Sequence, residues 1–152
     1  MHRIMFVCYG NVCRSTMAEF LMKDLVKKAG AEKDFYICSS GTSYEECGNP
    51  VYHGTRVILD RLGIHDYVNK RAEKLLKEHY NDFDLFIGMD EQNRRDMLRI
   101  FGKDHEQKIK LLMDYTKRPR SVADPYWTGD FESTYQDVNE GVLGLFNALK
   151  DS

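Results

Sequence analysis

A cysteine and an arginine stand close together near the start of the chain. Five residues separate Cys8 from Arg14, and Ser15 follows directly. A cysteine thiolate is a nucleophile that can attack phosphorus, and the planar guanidinium of an arginine can hold two phosphate oxygens at once. Gly10 and Asn11, between the two, tolerate the left-handed backbone conformations that a tight loop needs. The segment therefore predicts a loop that binds a phosphate group beside a nucleophilic thiol.

The residues on either side predict the two elements that position this loop. Ile4–Val7 are apolar without interruption, which is typical of a short strand buried on both faces of a sheet. From Met17 onward, apolar residues recur at four-residue spacing until Gly30 ends the helix. A loop that runs from a strand into a helix presents converging backbone N–H groups and the positive end of the helix dipole. Such an environment also stabilises a thiolate, so we expect Cys8 to carry negative charge.

We call residues 8–15 the phosphate loop. Its backbone amides and the Arg14 guanidinium are expected to hold the phosphoryl oxygens. The side chain of Asn11 is expected to fix the loop through hydrogen bonds. Two roles remain open for Ser15, whose hydroxyl can donate to the Cys8 thiolate, cap the following helix, or do both. The other predicted binding residues of the loop are Tyr9, Gly10, Val12 and Cys13.

Strands alternate with helices along the rest of the chain. The 152 residues are enough for one domain with a sizeable core, and they contain no repeat, low-complexity tract or linker. This pattern predicts a single α/β domain, residues 1–152, built on a parallel sheet whose carboxyl edge binds the ligand. Gly141 and Gly144 in the last helix are expected to permit close packing. The predicted strands are 4–7, 35–39, 83–89 and 109–113, and the predicted helices are 17–29, 52–62, a run through 75–79, 90–102 and 131–149.

Hydrolysis of a phosphate monoester also needs an acid that protonates the leaving oxygen and a base that activates water. Asp124 is the candidate for both roles. Pro125 restricts it to an extended conformation, and the aromatic Tyr126 and Trp127 are placed to shield it from water. The alternative is an ordinary loop aspartate, because spacing alone does not select one acidic residue among 24.

Composition argues against several other classes of function. With a formal net charge of -2, the chain gives no reason to expect a nucleic acid or an anionic membrane as partner. No stretch is long enough to cross a bilayer, and no signal peptide is recognisable. The four cysteines do not form a disulfide-dense pattern, which predicts a cytoplasmic location. Neither they nor the five histidines have metal-ligand spacing, so we expect no metal and no cofactor.

The segment Val7–Ser15 resembles the signature of low-molecular-weight protein tyrosine phosphatases, and the resemblance extends over essentially the whole chain. It implies a three-layer, flavodoxin-like (phosphatase I-like) domain with a four-stranded parallel sheet flanked by helices. It also implies hydrolysis of phosphotyrosine in proteins, and of small aryl phosphates, through a phosphocysteine at Cys8 with Asp124 as general acid and base. The implied partner is a phosphotyrosine-containing protein substrate, and the implied state is a monomer or a weakly self-associating chain. Further matches are Ser39–Thr42, Gly48–Pro50, Met89–Glu91 and Asp124–Tyr126.

The chain departs from the family pattern around the predicted pocket. An aromatic residue is common where Glu45 falls, and Tyr44 lies one position earlier, so either residue is expected to form one pocket wall. Tyr126 matches an aromatic of the other wall. Val68 occupies a place where the family often has histidine, which implies that a buried polar network is missing. The resemblance further implies a reversible Cys8–Cys13 disulfide that protects the nucleophile from over-oxidation.

Two other functions fit the same loop. An arsenate reductase on this fold relays its chemistry through a late, closely spaced cysteine pair, whereas only Cys38 and Cys47 follow the loop here. A catalytically silent phosphate-binding module is disfavoured because Cys8, Arg14 and Asp124 are all present. The sequence therefore favours hydrolysis over both alternatives.

Overall fold

A parallel sheet with helices on both faces forms the structure, a computed structural model that describes residues 1–151. None of the helices within those residues is long and apolar enough to cross a membrane. The strands are β1 (His2–Cys8), β2 (Phe35–Gly41), β3 (Leu85–Gly88) and β4 (Ile109–Leu111). The helices are α1 (Arg14–Lys28), α2 (His53–Arg61), α3 (Glu91–Phe101), α4 (Pro125–Thr128) and α5 (Phe131–Leu149), with short 3₁₀ helices at Glu32–Asp34, Lys77–Asn81 and Leu112–Tyr115.

The strand order β2-β1-β3-β4 brings three loops to one edge of the sheet. All neighbouring strands run parallel, with Cys8 beside Gly41 and Val7 beside Gly88. The carboxyl ends of β1, β2 and β3 therefore lie next to one another, and the chain leaves each of them on the same side. This arrangement confirms the predicted α/β fold and places the phosphate loop where parallel sheets bind ligands.

Alternating residues of β1 face two separate cores. Ile4 and Phe6 belong to the core under α1, α2 and α5, whereas Met5 and Val7 belong to the core under α3. Because both faces of the strand are covered, an uninterrupted apolar run is the pattern that burial requires. The two cores make this a three-layer fold.

The structure corrects several predicted bounds. β3 is shorter than the predicted 83–89, and β4 ends at Leu111, where a 3₁₀ helix takes over. The helical run predicted through Leu75 is wrong, since the helix begins only at Lys77. Leu75 instead donates its N–H to the carbonyl of Gly41 at 2.7 Å, and Gly41 donates to the carbonyl of Glu73 at 2.8 Å. This segment is extended because it pairs with the end of β2.

The last helix approaches the 3₁₀ helix Leu112–Tyr115 closely. A Cβ at Gly144 would lie 2.0 Å from the carbonyl oxygen of Tyr115, and one at Gly141 would lie 2.4 Å from the Leu112 side chain. The close packing predicted for these two glycines is confirmed. Their lack of a side chain lets α5 pack closely against the 3₁₀ helix that follows β4.

Candidate active site

A cavity of about 450 Å³ opens at the carboxyl edge of the sheet. The phosphate loop forms its floor, residues 45–46 form one wall, and residues 124–127 form the other. We call residues 122–129, which include this second wall, the acid segment. The lining residues are Cys8, Tyr9, Gly10, Val12, Cys13, Arg14, Glu45, Glu46, Asp124, Tyr126 and Trp127.

The sulfur of Cys8 lies at the end of β1, buried except where it meets the cavity. Ser15 Oγ is 3.0 Å from this sulfur, and the backbone N–H of Asn11 donates to it at 3.3 Å. Ser15 lies within the first turn of α1, whose N-cap is Cys13. Of the two roles left open for Ser15, the structure therefore shows the contact with sulfur and not the cap. Donors aimed at sulfur stabilise its thiolate.

Asn11 holds the loop in shape from a left-handed conformation, with φ at 59°. Its Nδ2 donates to Ser15 Oγ at 2.8 Å and to Ser39 Oγ at 2.9 Å, while its Oδ1 accepts from the N–H of Glu73 at 3.0 Å. Because Ser15 Oγ accepts from Asn11, its own proton is directed at the Cys8 sulfur. The donors that face the sulfur are therefore held in place by hydrogen bonds within the chain.

A buried polar network continues from Asn11 to the far side of α1. Ser39 Oγ donates to Glu19 Oε1 at 2.5 Å, and Glu19 Oε2 pairs with Lys23 Nζ at 2.6 Å. Lys70 Nζ donates to the carbonyl of Ser39 at 2.8 Å and lies 3.9 Å from Glu19 Oε1. The network implied to be missing because of Val68 is therefore present. Val68 is exposed, and the cation of the network comes from Lys70.

Arg14 is buried and fixed by three oxygen atoms. Its Nη1 donates to Asp90 Oδ2 at 2.7 Å and to the carbonyl of Val122 at 2.9 Å, and its Nη2 lies 3.5 Å from Asp124 Oδ2. Burial alone lowers the pKa of Arg14, but the charge of the Cys8 thiolate and the hydrogen bond to Asp90 raise that pKa by more. The guanidinium is therefore a permanent cation held beside the thiol.

Asp90 was missed as a site residue, because the sequence indicated only a helix cap. It does cap α3, accepting from the N–H of Asn93 at 2.8 Å. Its second oxygen is the one that binds Arg14. The signal that points to this role is its position directly after β3, the strand next to β1.

Gly41 lets the end of β2 lie directly against the phosphate loop. A Cβ there would be 2.7 Å from the carbonyl oxygen of Tyr9 and 3.1 Å from the nitrogen of Asn11. The following residues bind the same stretch, since Thr42 donates its N–H to the carbonyl of Cys8 and Ser43 donates to that of Tyr9, both at 3.0 Å. These backbone contacts add to the side-chain hydrogen bond between Asn11 and Ser39 in supporting the loop from β2.

Asp124 faces the cavity from the opposite side. Its Oδ1 accepts from the N–H of Tyr126 at 3.1 Å, so the residue caps the four-residue helix α4, while its Oδ2 points toward Arg14. Tyr126 and Trp127 line the cavity but are themselves exposed, at 51% and 81%. The aromatic side chains therefore flank the carboxylate without closing it off from water.

The other wall consists of two glutamates. Glu45 Oε1 accepts from the hydroxyl of Tyr9 at 2.8 Å, and the stem of Glu46 lies over Gly10. Tyr44, the alternative to Glu45, does not line the cavity, because its ring extends outward and lies 4.8 Å from Lys74 Nζ. Glu46 was missed, and nothing in its spacing distinguishes it from other loop glutamates.

Cys13 is a buried thiol on the rim of the same cavity. Burial raises its pKa strongly, and the negative charges of Cys8 and Asp124 raise it further. Cys13 therefore stays protonated in the range where a nucleophile must be ionised. Both thiols are free in this structure, and their reversible disulfide stays a prediction.

Comparison with known proteins identifies the family. The family model described as "Low molecular weight phosphotyrosine protein phosphatase" matches residues 3–152. The chain belongs to this family.

Relatives with this family name match over nearly their whole length. The low molecular weight protein-tyrosine-phosphatase YfkJ of Bacillus subtilis is 37% identical over 149 residues, covering 97% of this chain and 95% of the relative. The crystal structure of YfkJ superposes with a TM-score of 0.94, covering 99% of this chain and 96% of the other. The low molecular weight protein tyrosine phosphatase SP-PTP of Streptococcus pyogenes, 37% identical, superposes with a TM-score of 0.88 over 98% of this chain and 93% of the other.

The phosphatase family membership is consistent with the kinds of residue at the cavity. Within residues 1–151, no group of three or more histidine, cysteine or acidic side chains is placed to hold a metal ion. The cavity instead offers a thiol, a fixed guanidinium and a carboxylate on separate segments. These groups supply a nucleophile, an anion-binding cation and a proton carrier.

Proposed function

We propose that the chain hydrolyses phosphotyrosine in proteins through a phosphocysteine intermediate on Cys8. The observation that carries the proposal is the convergence of three groups on one cavity: the Cys8 sulfur with its donors, the Arg14 guanidinium, and the Asp124 carboxyl. Each comes from a different element, and each matches one requirement of phosphate monoester hydrolysis.

In the first step the phosphoryl group lies in the phosphate loop. Its equatorial oxygens accept hydrogen bonds from the backbone amides of the first turn of α1, which lack acceptors within the helix, and from Arg14. The thiolate of Cys8 attacks phosphorus, so that a P–S bond forms while the bond to the tyrosyl oxygen breaks. Asp124, protonated at this stage, gives its proton to the departing oxygen.

In the second step water replaces sulfur on phosphorus. Asp124, now a carboxylate, takes a proton from the water as the new P–O bond forms and the P–S bond breaks. The leaving thiolate receives the hydrogen bonds of Ser15 Oγ and of the Asn11 N–H. These bonds strengthen as charge returns to sulfur, which is the point at which they lower the barrier.

Substrate preference is proposed to come from the two unlike walls. Tyr126 offers aromatic surface for the ring of phosphotyrosine and Trp127 offers it for the peptide beside that ring, while Glu45 and Glu46 give the opposite wall negative charge. We place the chain in the cytoplasm, because all four cysteines are free and the reaction requires a reduced thiol. Residues 1–152 are proposed to act as one catalytic domain, working as a monomer or with weak self-association.

The test is hydrolysis of an aryl phosphate in the presence of EDTA. Wild type should be fully active, and Cys8→Ser should be inactive, since a hydroxyl does not replace a thiolate here. Asp124→Ala should lose roughly 10²–10⁴-fold in kcat, as is typical for removal of a general acid. That loss should shrink for phenols of low pKa, because such leaving groups depart without a proton.

Matched variants separate the site from general damage. Cys47→Ser and Asp66→Ala change the same residue types at exposed positions outside the cavity, and both should keep wild-type rates. Full activity in Cys8→Ser would refute the mechanism. Thiol-dependent arsenate reduction that exceeds phosphatase activity would instead identify the arsenate reductase.

A further inference from the structure

A second cavity, of about 350 Å³, shares no lining residue with the candidate active site. Two arginines reach it from different segments: Arg56 from α2, and Arg71 from the bridge that pairs it with Pro50. We call it the arginine cavity. Its lining residues are Pro50, Val51, Arg56, Tyr67, Val68 and Arg71.

Neither arginine has a carboxylate partner among the residues that the structure describes. The arginines that do form ion pairs there are Arg14, Arg61, Arg94, Arg99 and Arg120. Arg71 donates one bond of 3.3 Å to the carbonyl of Lys70. Arg56 Nε is shut off from solvent and has no acceptor within residues 1–151. A charged donor buried without an acceptor is costly, so the positive charge of Arg56 is left uncompensated by hydrogen bonds at this nitrogen.

Asp60, which lies four residues after Arg56 on α2, is engaged elsewhere. It accepts from the hydroxyl of Tyr67 at 2.6 Å and contacts His65 Nδ1 at 3.0 Å. These two hydrogen bonds lower the pKa of Asp60 most, and Arg56 lowers that pKa only through its more distant charge. Asp60 therefore stays ionised but does not supply the missing acceptor for Arg56.

The rest of the lining limits what fits between the two guanidiniums. Pro50, Val51 and Val68 offer apolar surface, and the Tyr67 hydroxyl already donates to Asp60, so the arginines are the charged donors left for a ligand. Two guanidinium forks match the charge and the oxygen geometry of a phosphate dianion. The volume lies within the range of small-molecule sites. We propose that the arginine cavity binds a phosphate-bearing anion, either inorganic phosphate or a phosphomonoester, independently of the hydrolysis at Cys8.

The test is a titration of the isotope-labelled protein with inorganic phosphate, followed by the NMR signals of backbone amides and of arginine Nε–H groups. Two groups of signals should shift with different midpoints: the amides of the phosphate loop, and a second group that includes Arg56 Nε–H and the amides of Val68 and Arg71. In a double variant, Arg56→Gln with Arg71→Gln, the second midpoint should rise at least about tenfold, which is what loss of charged hydrogen bonds implies. The loop midpoint should stay unchanged.

Arg61→Gln is the matched control, since it removes the same charge from α2 but lies outside the arginine cavity. It should leave both midpoints in place. A parallel titration of Cys8→Ser with phosphoserine shows whether the phosphate of an ester binds as the free ion does. The proposal is overturned if only the loop signals shift, if the second group persists in the double variant, or if Arg61→Gln weakens it equally. Unchanged signals elsewhere in the double variant show that its fold is intact.

Discussion

The phosphate loop and the acid segment face each other across one cavity but are held in opposite ways. Asn11 in the loop is 1% exposed and makes three side-chain hydrogen bonds, two of them to residues outside the loop, Ser39 and Glu73. Trp127 in the acid segment is 81% exposed, and α4 is only four residues long. The acid segment is anchored near Val122, which is buried and donates its N–H to the carbonyl of Met89 at 3.0 Å.

This difference separates two tasks that every such enzyme must perform. Capture of the phosphoryl group needs donors that do not reorganise, and the buried network around Asn11 and Ser15 provides them. Recognition of the rest of the substrate needs exposed surface, and Tyr126 and Trp127 provide it. Changes in the loop should therefore affect both stability and turnover, whereas changes in the acid segment should affect turnover or substrate binding alone.

Among the changes that test this comparison, the largest effect is expected for Arg14→Lys. A lysine keeps the charge but loses the planar fork, and it leaves the Asp90 carboxylate and the Val122 carbonyl without their partner. We expect kcat to fall by roughly 10²–10³-fold, the usual cost of losing a preorganised donor to a developing anion. Steady-state kinetics on an aryl phosphate measures this loss. Arg118→Lys, an exposed change near the acid segment, should leave kcat unchanged. An equal loss of kcat in the two variants would contradict the difference proposed between the phosphate loop and the acid segment.

The next largest effect is on stability, in Gly41→Ala. The added Cβ would collide with the backbone of Tyr9, so either the loop or the end of β2 must move. Overpacking of this kind costs about 1–3 kcal/mol of unfolding free energy, and the displaced loop should also lower kcat. Urea denaturation measures the first and kinetics the second.

Ser40→Ala is the control for this change, on the same strand and equally buried. Ser40 Oγ has no hydrogen-bond partner within residues 1–151, so its removal should leave stability equal or slightly higher. A Gly41→Ala protein with wild-type stability and wild-type kcat would show that the loop does not depend on this close approach.

A smaller effect concerns the alkaline stability of the loop through Cys13. Its folded-state pKa lies above the ordinary thiol value of 9.0, so the unfolded chain loses this proton first as the pH rises. The contribution is fully present below about pH 8 and declines above pH 9, with a slope of up to about 1.4 kcal/mol per pH unit. Cys13→Ala should therefore lose less stability than wild type between about pH 8 and about pH 10.

The measurement is urea denaturation at a series of pH values. Cys47→Ala removes an exposed thiol and should follow the wild-type slope. Parallel slopes in all three proteins would show that Cys13 ionises as readily folded as unfolded. That result would show that the buried thiol of Cys13 does not contribute to the difference in stability between the phosphate loop and the acid segment.

The same contrast explains which features could be predicted from the sequence. The phosphate loop was predictable because its residues are consecutive and their side-chain types indicate their chemistry. The parallel α/β fold was predictable from the alternation of strand and helix patterns. Ser39, Glu73 and Asp90 come from other segments and meet the loop only through the strand order β2-β1-β3, which local patterns do not encode. The resemblance associates a buried polar network with histidine at position 68, whereas the network in this chain includes Lys70, whose long side chain reaches it from a different backbone position.

The acid segment was harder to predict from the sequence than the phosphate loop. Asp124 was distinguishable from the other acidic residues only by Pro125, its aromatic neighbours and the family resemblance, and the choice between Tyr44 and Glu45 stayed open. Both depend on how loops lie over the cavity, and side chains such as Tyr44 are directed by contacts as weak as the one with Lys74. Side chains in exposed loops make few fixed contacts, so the sequence predicts little about their directions.

The smallest effect should come from Trp127→Ala, and it distinguishes recognition from chemistry most clearly. Trp127 lines the cavity while remaining largely exposed, and its ring packs edge-on against Tyr126. Its removal should leave the urea midpoint unchanged, because little area is buried there. For a phosphotyrosine peptide we expect KM to rise by about two- to tenfold, the range of one aromatic contact, with kcat preserved. A small aryl phosphate lacks the peptide that Trp127 is proposed to contact, so it should show no change in KM. Equal losses on both substrates, or a fall in kcat alone, would show that Trp127 takes part in catalysis. That result would weaken the functional distinction between the phosphate loop and the acid segment.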